Sequence, residues 1–184
     1  MLKQTLSDSS HYGAEAHIGV FSLDTDKKDI LRVLCHSDFM SNKDLRLFAV
    51  WCARQVQHLM KDERSIIVLD VAERYAHSLA TDEELSSAYK NAAINARRDV
   101  CGAAYATANS NPRIAALDAA IAACESSYKY AYAMAWADDS PANPAVFHVK
   151  DASRNAFRKM LDSQIDKLLE FFTARENNQE FDWK

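Results

Sequence analysis

The sequence predicts an all-α fold, an antiparallel bundle of about six helices. Three observations carry this. Only three Gly and three Pro occur in 184 residues, whereas chains built from strands use these residues heavily in turns. Alanine, the best helix former and a poor strand former, supplies 18 of the 50 residues from Ala88 to Ala137. Apolar residues recur at spacings of three and four, the period of an amphipathic helix. Hydrophobic residues make up 48% and charged residues 26%, a globular composition. The length suits one domain that can bury its own core.

Residues 1–23 read as an N-terminal tail. Met1 to Gly13 is polar and lacks the apolar core of a signal peptide; Ala16 to Leu23 fits either an extended piece or a helical turn. The bundle domain is expected over 24–176. Its first helix starts near Asp24 or Thr25 and runs through Ile30, Leu31, Val33 and Leu34 to Ser37. Ser41 caps the second, with Asp44 at its positive end, and Leu45, Phe48, Cys52, Val56 and Leu59 form one stripe. Asp62 caps the third, which buries Val68, Ala72, Tyr75 and Leu79 and ends near Ala80. Thr81 and Glu84 form a capping box. The fourth helix then carries Leu85, Ala88, Tyr89, Ala92, Ala96, Val100 and Ala103 inward to about Asn109.

Asn111 caps the fifth helix, with Pro112 at its first position. Its expected seam is Ile114, Leu117, Ile121, Cys124, Tyr128, Ala131 and Ala135, a heptad spacing. Small residues there let the fourth and fifth helices pack as a tight antiparallel hairpin. Asp138 to Phe147, with Pro141 and Pro144, reads as a loop. A last helix runs from Val149 to Arg175 through Phe157, Met160, Leu161, Ile165, Leu168 and Phe172. Residues 177–184 are a polar tail holding Phe181 and Trp183.

Several chemistries find no support. The net charge is −4, which argues against a nucleic-acid partner; Arg97, Arg98 and Lys90 read as a solvated helix face. No apolar run approaches the ~18 residues that span a membrane. Cys35, Cys52, Cys101 and Cys124 lie among apolar residues and read as buried thiols, a pattern of the reducing cytoplasm. Cys35 and His36 are adjacent on a helix and do not face each other. No Glu-x-x-His pair, zincin motif, phosphate-cradling glycine loop or nucleophile elbow is present. Glu73 and His77 lie one turn apart and read as surface or edge residues. The sequence names no catalytic residue, metal or cofactor.

Two features invite a binding role. Arg46 and Arg54 stand two turns apart on the apolar second helix. Asp70 and Glu73 are expected partners in an interhelix ion pair; the alternative is an arginine held for an acidic ligand or partner. The fifth helix carries Tyr128, Tyr132 and Trp136 on one line, with Tyr130 and Met134 off it. All cannot point inward, and aromatics are enriched at binding surfaces, so Tyr130, Tyr132, Met134 and Trp136 are candidates for core or interface. Phe181 and Trp183 pose the same choice, between a tail folded onto its bundle and a recognition motif.

The stretches Asp44-Leu45-Arg46-Leu47-Phe48-Ala49, Cys52-Ala53-Arg54, Asp62-Glu63-Arg64-Ser65, Val71-Ala72-Glu73-Arg74-Tyr75-Ala76 and Leu79-Ala80-Thr81-Asp82-Glu83-Glu84-Leu85 carry a resemblance. Over 29–93 the chain resembles Ala-rich helical bacterial and phage proteins of unknown function and, more distantly, Imm-5-type immunity proteins. Asn91, Asn95 and Asn109 depart from the Ala and Trp repeats of that group. The resemblance implies a helical protein that binds and neutralises another protein, and it carries over no catalytic residue. The leading expectation is a cytoplasmic, non-enzymatic protein-binding factor, an inhibitor or immunity or counter-defence protein. The alternatives are a self-assembling helical protein and an enzyme using Arg54, His58 or Glu73 in a bundle cavity.

Overall fold

Capping residues and apolar spacing produce seven α-helices in the computed structural model, which describes residues 27–93, 102–137 and 146–184, with side chains left out at 136, 137 and 146–149. In chain order they are α1 (Lys27–Leu34), α2 (Asn42–Gln55), α3 (Glu63–Ala76), α4 (Asp82–Ala93), α5 (Gly102–Thr107), α6 (Pro112–Ala137) and α7 (Val146–Glu176), with a 3-10 turn at Gln57–Leu59. The fold is all-α and bundle-like, with no strand among the described residues. The count exceeds six because α5 is described apart from α4. The expected N-terminal tail, the inward Ala96 and Val100, Arg97, Arg98, Cys101 and most of the proline loop lie outside the described residues. Val146 and Phe147, expected in that loop, belong to α7.

The helix starts fall where the caps place them. The Ser41 hydroxyl accepts from the Asp44 N–H at 3.1 Å. Asp62 accepts from the Arg64 N–H at 2.9 Å. The Asn111 side chain accepts from the N–H groups of Arg113 and Ile114 at 3.0 and 3.1 Å. Thr81 and Glu84 satisfy each other reciprocally: the Glu84 N–H donates to Thr81 Oγ1 at 3.2 Å, and the Thr81 N–H donates to the Glu84 carboxylate at 2.8 Å. That last bond holds the Glu84 carboxyl below its ordinary pKa.

Two helix ends differ from expectation. α2 stops at Gln55, so Leu59 falls in the 3-10 turn rather than on the helical stripe. α3 stops at Ala76, not near Ala80. Ser78 takes a left-handed conformation, φ 60°, and the Leu79 N–H returns to the Arg74 carbonyl at 2.8 Å, a Schellman closure. The reversal leaves Leu79, expected to be buried, 67% exposed. Asn178, φ 53°, ends α7 in the same way, with the Gln179 N–H returning to the Ala174 carbonyl at 2.8 Å.

α6 is the central helix, packed on α2, α5 and α7. Its deepest seam is Ala115, Ala116, Ala119, Ala120 and Ala123, all fully buried. This corrects the expected heptad seam. Of its members Cys124 is buried, Leu117 and Ile121 are half-buried, and Ile114 is 44% exposed. A helix with neighbours on several sides needs methyl groups where backbones come closest, which displaces larger side chains to its flanks. Buried Gln164 of α7 pins the seam by donating to the Ala120 carbonyl at 2.9 Å and accepting from the Cys124 thiol at 3.5 Å. α7 runs antiparallel to α6: Gln164 meets Ala120, while Phe157 and Arg154 lie level with Tyr128 and Lys129.

Bulkier side chains supply the apolar burial around this seam. Leu34, Leu45, Phe48, Val68, Leu69 and Leu168 are fully buried, each contributing about 1.5–3 kcal/mol. The C-terminal tail joins them. The Trp183 ring sits 5.8 Å from that of Phe48 and 5.0 Å from that of Phe171, and Phe181 packs edge-on to Phe171 at 5.6 Å. The Trp183 indole N–H points to Asp44 at 3.4 Å. Of the two readings of the tail, folding back onto the bundle is the one observed.

Cys35, Cys52 and Cys124 are free and buried. Burial pushes the thiols of Cys35 and Cys124 up to about 12 and that of Cys52 well above its ordinary 9.0. Only the unfolded chain can ionise them near pH 9. Their contribution to stability is therefore present below that pH and declines as pH rises above it. In a Cys101→Ser variant at pH 8, these three thiols should stay unmodified by iodoacetamide until denaturant is added. Alkylation of the folded protein would show that the burial is breached.

Candidate binding surface

The seven residues singled out from the sequence separate into two groups. Arg54, Phe181 and Trp183 line one open cleft of about 820 Å³ between α2, the end of α7 and the tail, together with Trp51, Glu73 and His77. Tyr130, Tyr132, Met134 and Trp136 lie on the C-terminal part of α6; the Trp136 side chain is outside the described residues.

In the cleft the candidate groups are already engaged. Arg54 donates to Asp70 at 3.1 Å and to Glu73, the expected interhelix pair. Burial alone would lower its pKa, but the bonds and charges of Glu73 and Asp70 outweigh that and raise it. Lys167 stands over the rings of Trp51 and Phe181, at 5.8 and 4.9 Å, and Trp183 is inside the aromatic cluster. Arg46 is not Arg54's companion in the pair. It donates to the Thr107 carbonyl at 2.6 Å and the Asn109 carbonyl at 2.9 Å, so it caps the negative end of α5, with its guanidinium 5.1 Å from the Tyr75 ring centre. Burial lowers its pKa from the usual arginine value, a shift that Tyr75 partly offsets.

Past Cys124 the character of α6 changes. Tyr130, Tyr132 and Met134 are 46%, 38% and 53% exposed. Residues two apart on a helix project about 200° apart, so these side chains serve both flanks of α6. On one flank Tyr132 stacks on half-buried Tyr128, with ring centres 6.4 Å apart and planes 14° apart. Beside them a groove of about 360 Å³ is lined by Glu125, Tyr128, Lys129, Arg154, Phe157 and Arg158. On the other flank Tyr130 meets the His58 ring edge-on at 6.1 Å, beside a second groove of about 310 Å³ that includes Leu59, Lys159 and Met160.

The three residues of the enzyme alternative are divided: Arg54 and Glu73 line the large cleft, whereas His58 lies beside Tyr130. Among the described residues no group of three or more His, Cys, Asp or Glu is placed to hold a metal, and no helix is long and apolar enough to cross a membrane. The sequence reading passed over Lys129, Arg154 and Arg158. Arg154 and Arg158 show one signal, a spacing of one helical turn; their neighbourhood with Tyr128 is a product of α6–α7 packing. No protein-family model matches the chain, and no curated protein or solved structure matches it.

Proposed function

We propose that the protein is a non-enzymatic protein-binding factor whose partner docks on the C-terminal half of α6. The observation that supports this is the exposure of Tyr130, Tyr132 and Met134 on successive turns of a helix whose other half is sealed by alanine. Tyr and Met are enriched at interface cores, and Tyr is a frequent hot spot. Such side chains leave water readily and lose little conformational entropy when covered. The resemblance over 29–93 points to the inhibitor or immunity class, bacterial or phage in origin, which blocks a protein by covering it. The free thiols fit a cytoplasmic setting.

A tagged chain used as bait in source-cell lysate, with native mass spectrometry of the eluate, tests this reading. Wild type should carry one protein in fixed ratio. Tyr130→Ser/Tyr132→Ser/Met134→Ser should lose it, because a single hot spot is worth about 2 kcal/mol, roughly thirtyfold in affinity. The variant should melt like wild type, since all three side chains are exposed. A bare homo-oligomer would shift the function to self-assembly, and capture undiminished in the variant would remove α6 from the interface.

A further inference from the structure

The groove between α6 and α7 has an apolar floor and a basic rim. Half-buried Tyr128 and Phe157 form the floor. Lys129, Arg154 and Arg158 stand around it, against the single acid Glu125. Lys28 of α1 adds a further cation, 5.3 Å from the centre of the Phe157 ring. This is a local positive excess on a chain of net charge −4. The cations are not consumed by the fold. Lys129 and Arg158 make no ion pair among the described residues, and Arg154 faces Asp151 at 3.8 Å with both side chains more than 60% exposed, a pairing worth little in water.

From this charge complementarity we infer that the groove takes an acidic segment of a protein partner, with an aromatic or aliphatic side chain on Tyr128 and Phe157 and carboxylates on Lys129, Arg154 and Arg158. The inference rests on the protein-binding reading and deepens it by giving the partner's chemistry. Arg154 and Arg158 lie one turn apart on α7 and present two guanidinium forks on one side of the floor, an arrangement suited to carboxylates. An acidic segment would also be drawn in at long range, and the effect would fade as salt rises. A nucleic acid fits less well. Its repeating phosphates would extend past a short groove onto a molecule of net negative charge, whereas a protein segment can confine its acids to the rim.

The probe is a fluorescein-labelled random copolymer of Glu and Tyr, titrated with the full chain and read by anisotropy. Wild type should bind it, with affinity falling at least about tenfold between roughly 50 and 300 mM salt. Lys129→Glu/Arg154→Glu/Arg158→Glu should weaken binding at low salt by about tenfold or more while melting as wild type does. A single-stranded oligonucleotide of matched charge should bind more weakly than the copolymer. No copolymer binding, binding indifferent to the charge reversal, or an oligonucleotide bound as tightly each overturns the inference. The lysate partner separates this failure from that of the wider reading. A partner lost by the Tyr130/Tyr132/Met134 variant but kept by the charge-reversed chain leaves the protein-binding function standing and removes the acidic segment. A partner kept by both variants removes both.

Discussion

Phe48→Ala should cost about 3–5 kcal/mol of stability, the range for deleting a fully buried aromatic. Phe48 is fully buried on α2, 6.2 Å from the Trp51 ring and 5.8 Å from the Trp183 ring. Its removal takes away apolar transfer energy and leaves a void that rigid helices cannot close. For a chain of this size the loss corresponds to a fall of roughly 10 °C in Tm. The tail supplies a second readout. Trp183 leans on Phe48, so its fluorescence should move to longer wavelength in the variant before global unfolding begins. A variant within about 1 kcal/mol of wild type would mean that the cluster is not packed as described.

Arg46→Met should cost about 2–4 kcal/mol by a different route. The guanidinium joins two carbonyls at the end of α5, and Thr107, which provides one of them, is fully buried. Methionine fills much of the volume but leaves the buried acceptor without its charged donor, a penalty of about 1–3 kcal/mol in addition to the lost bonds. Arg46→Lys should recover only part of this, because an ammonium is a point charge and cannot reproduce the planar fork. Equilibrium denaturation in urea separates the three chains. Equal midpoints for wild type and Arg46→Met would show that the arginine contributes nothing net.

What could be read from the sequence was mostly local. Ser41, Asp62, Thr81 with Glu84, and Asn111 each act on N–H groups two or three residues away, and each helix start followed from them. The stop at Ser78 gave no such sign, because the left-handed position that glycine usually marks is filled by serine. The heptad arithmetic on α6 assumed that the largest apolar residues face inward. That holds for a helix with one buried side, whereas α6 has several neighbours and gives its closest approaches to alanine. Arg54 found its expected carboxylates because α2 and α3 are consecutive helices. Arg46 found backbone carbonyls instead, and an acceptor of that kind leaves no trace in side-chain identity. The exposure of Tyr130, Tyr132 and Met134 was one of two open readings. The meeting of Lys129 with Arg154 and Arg158 depends wholly on how α6 and α7 pack.

The alanine seam divides α6 into two regions under different mutational constraints. At Ala115, Ala116, Ala119, Ala120 and Ala123 nearly every substitution adds volume where none is available, so these positions should be nearly frozen as the lineage diverges. From Tyr128 to Met134 the same helix meets solvent, and exchanges there carry little folding penalty. A single rigid rod thus has a fixed half that holds the domain together and a free half that selection can rewrite. Should a partner alter its own surface, the chain could follow by changing a few side chains near Tyr130 and Lys129, with no compensating change in its interior.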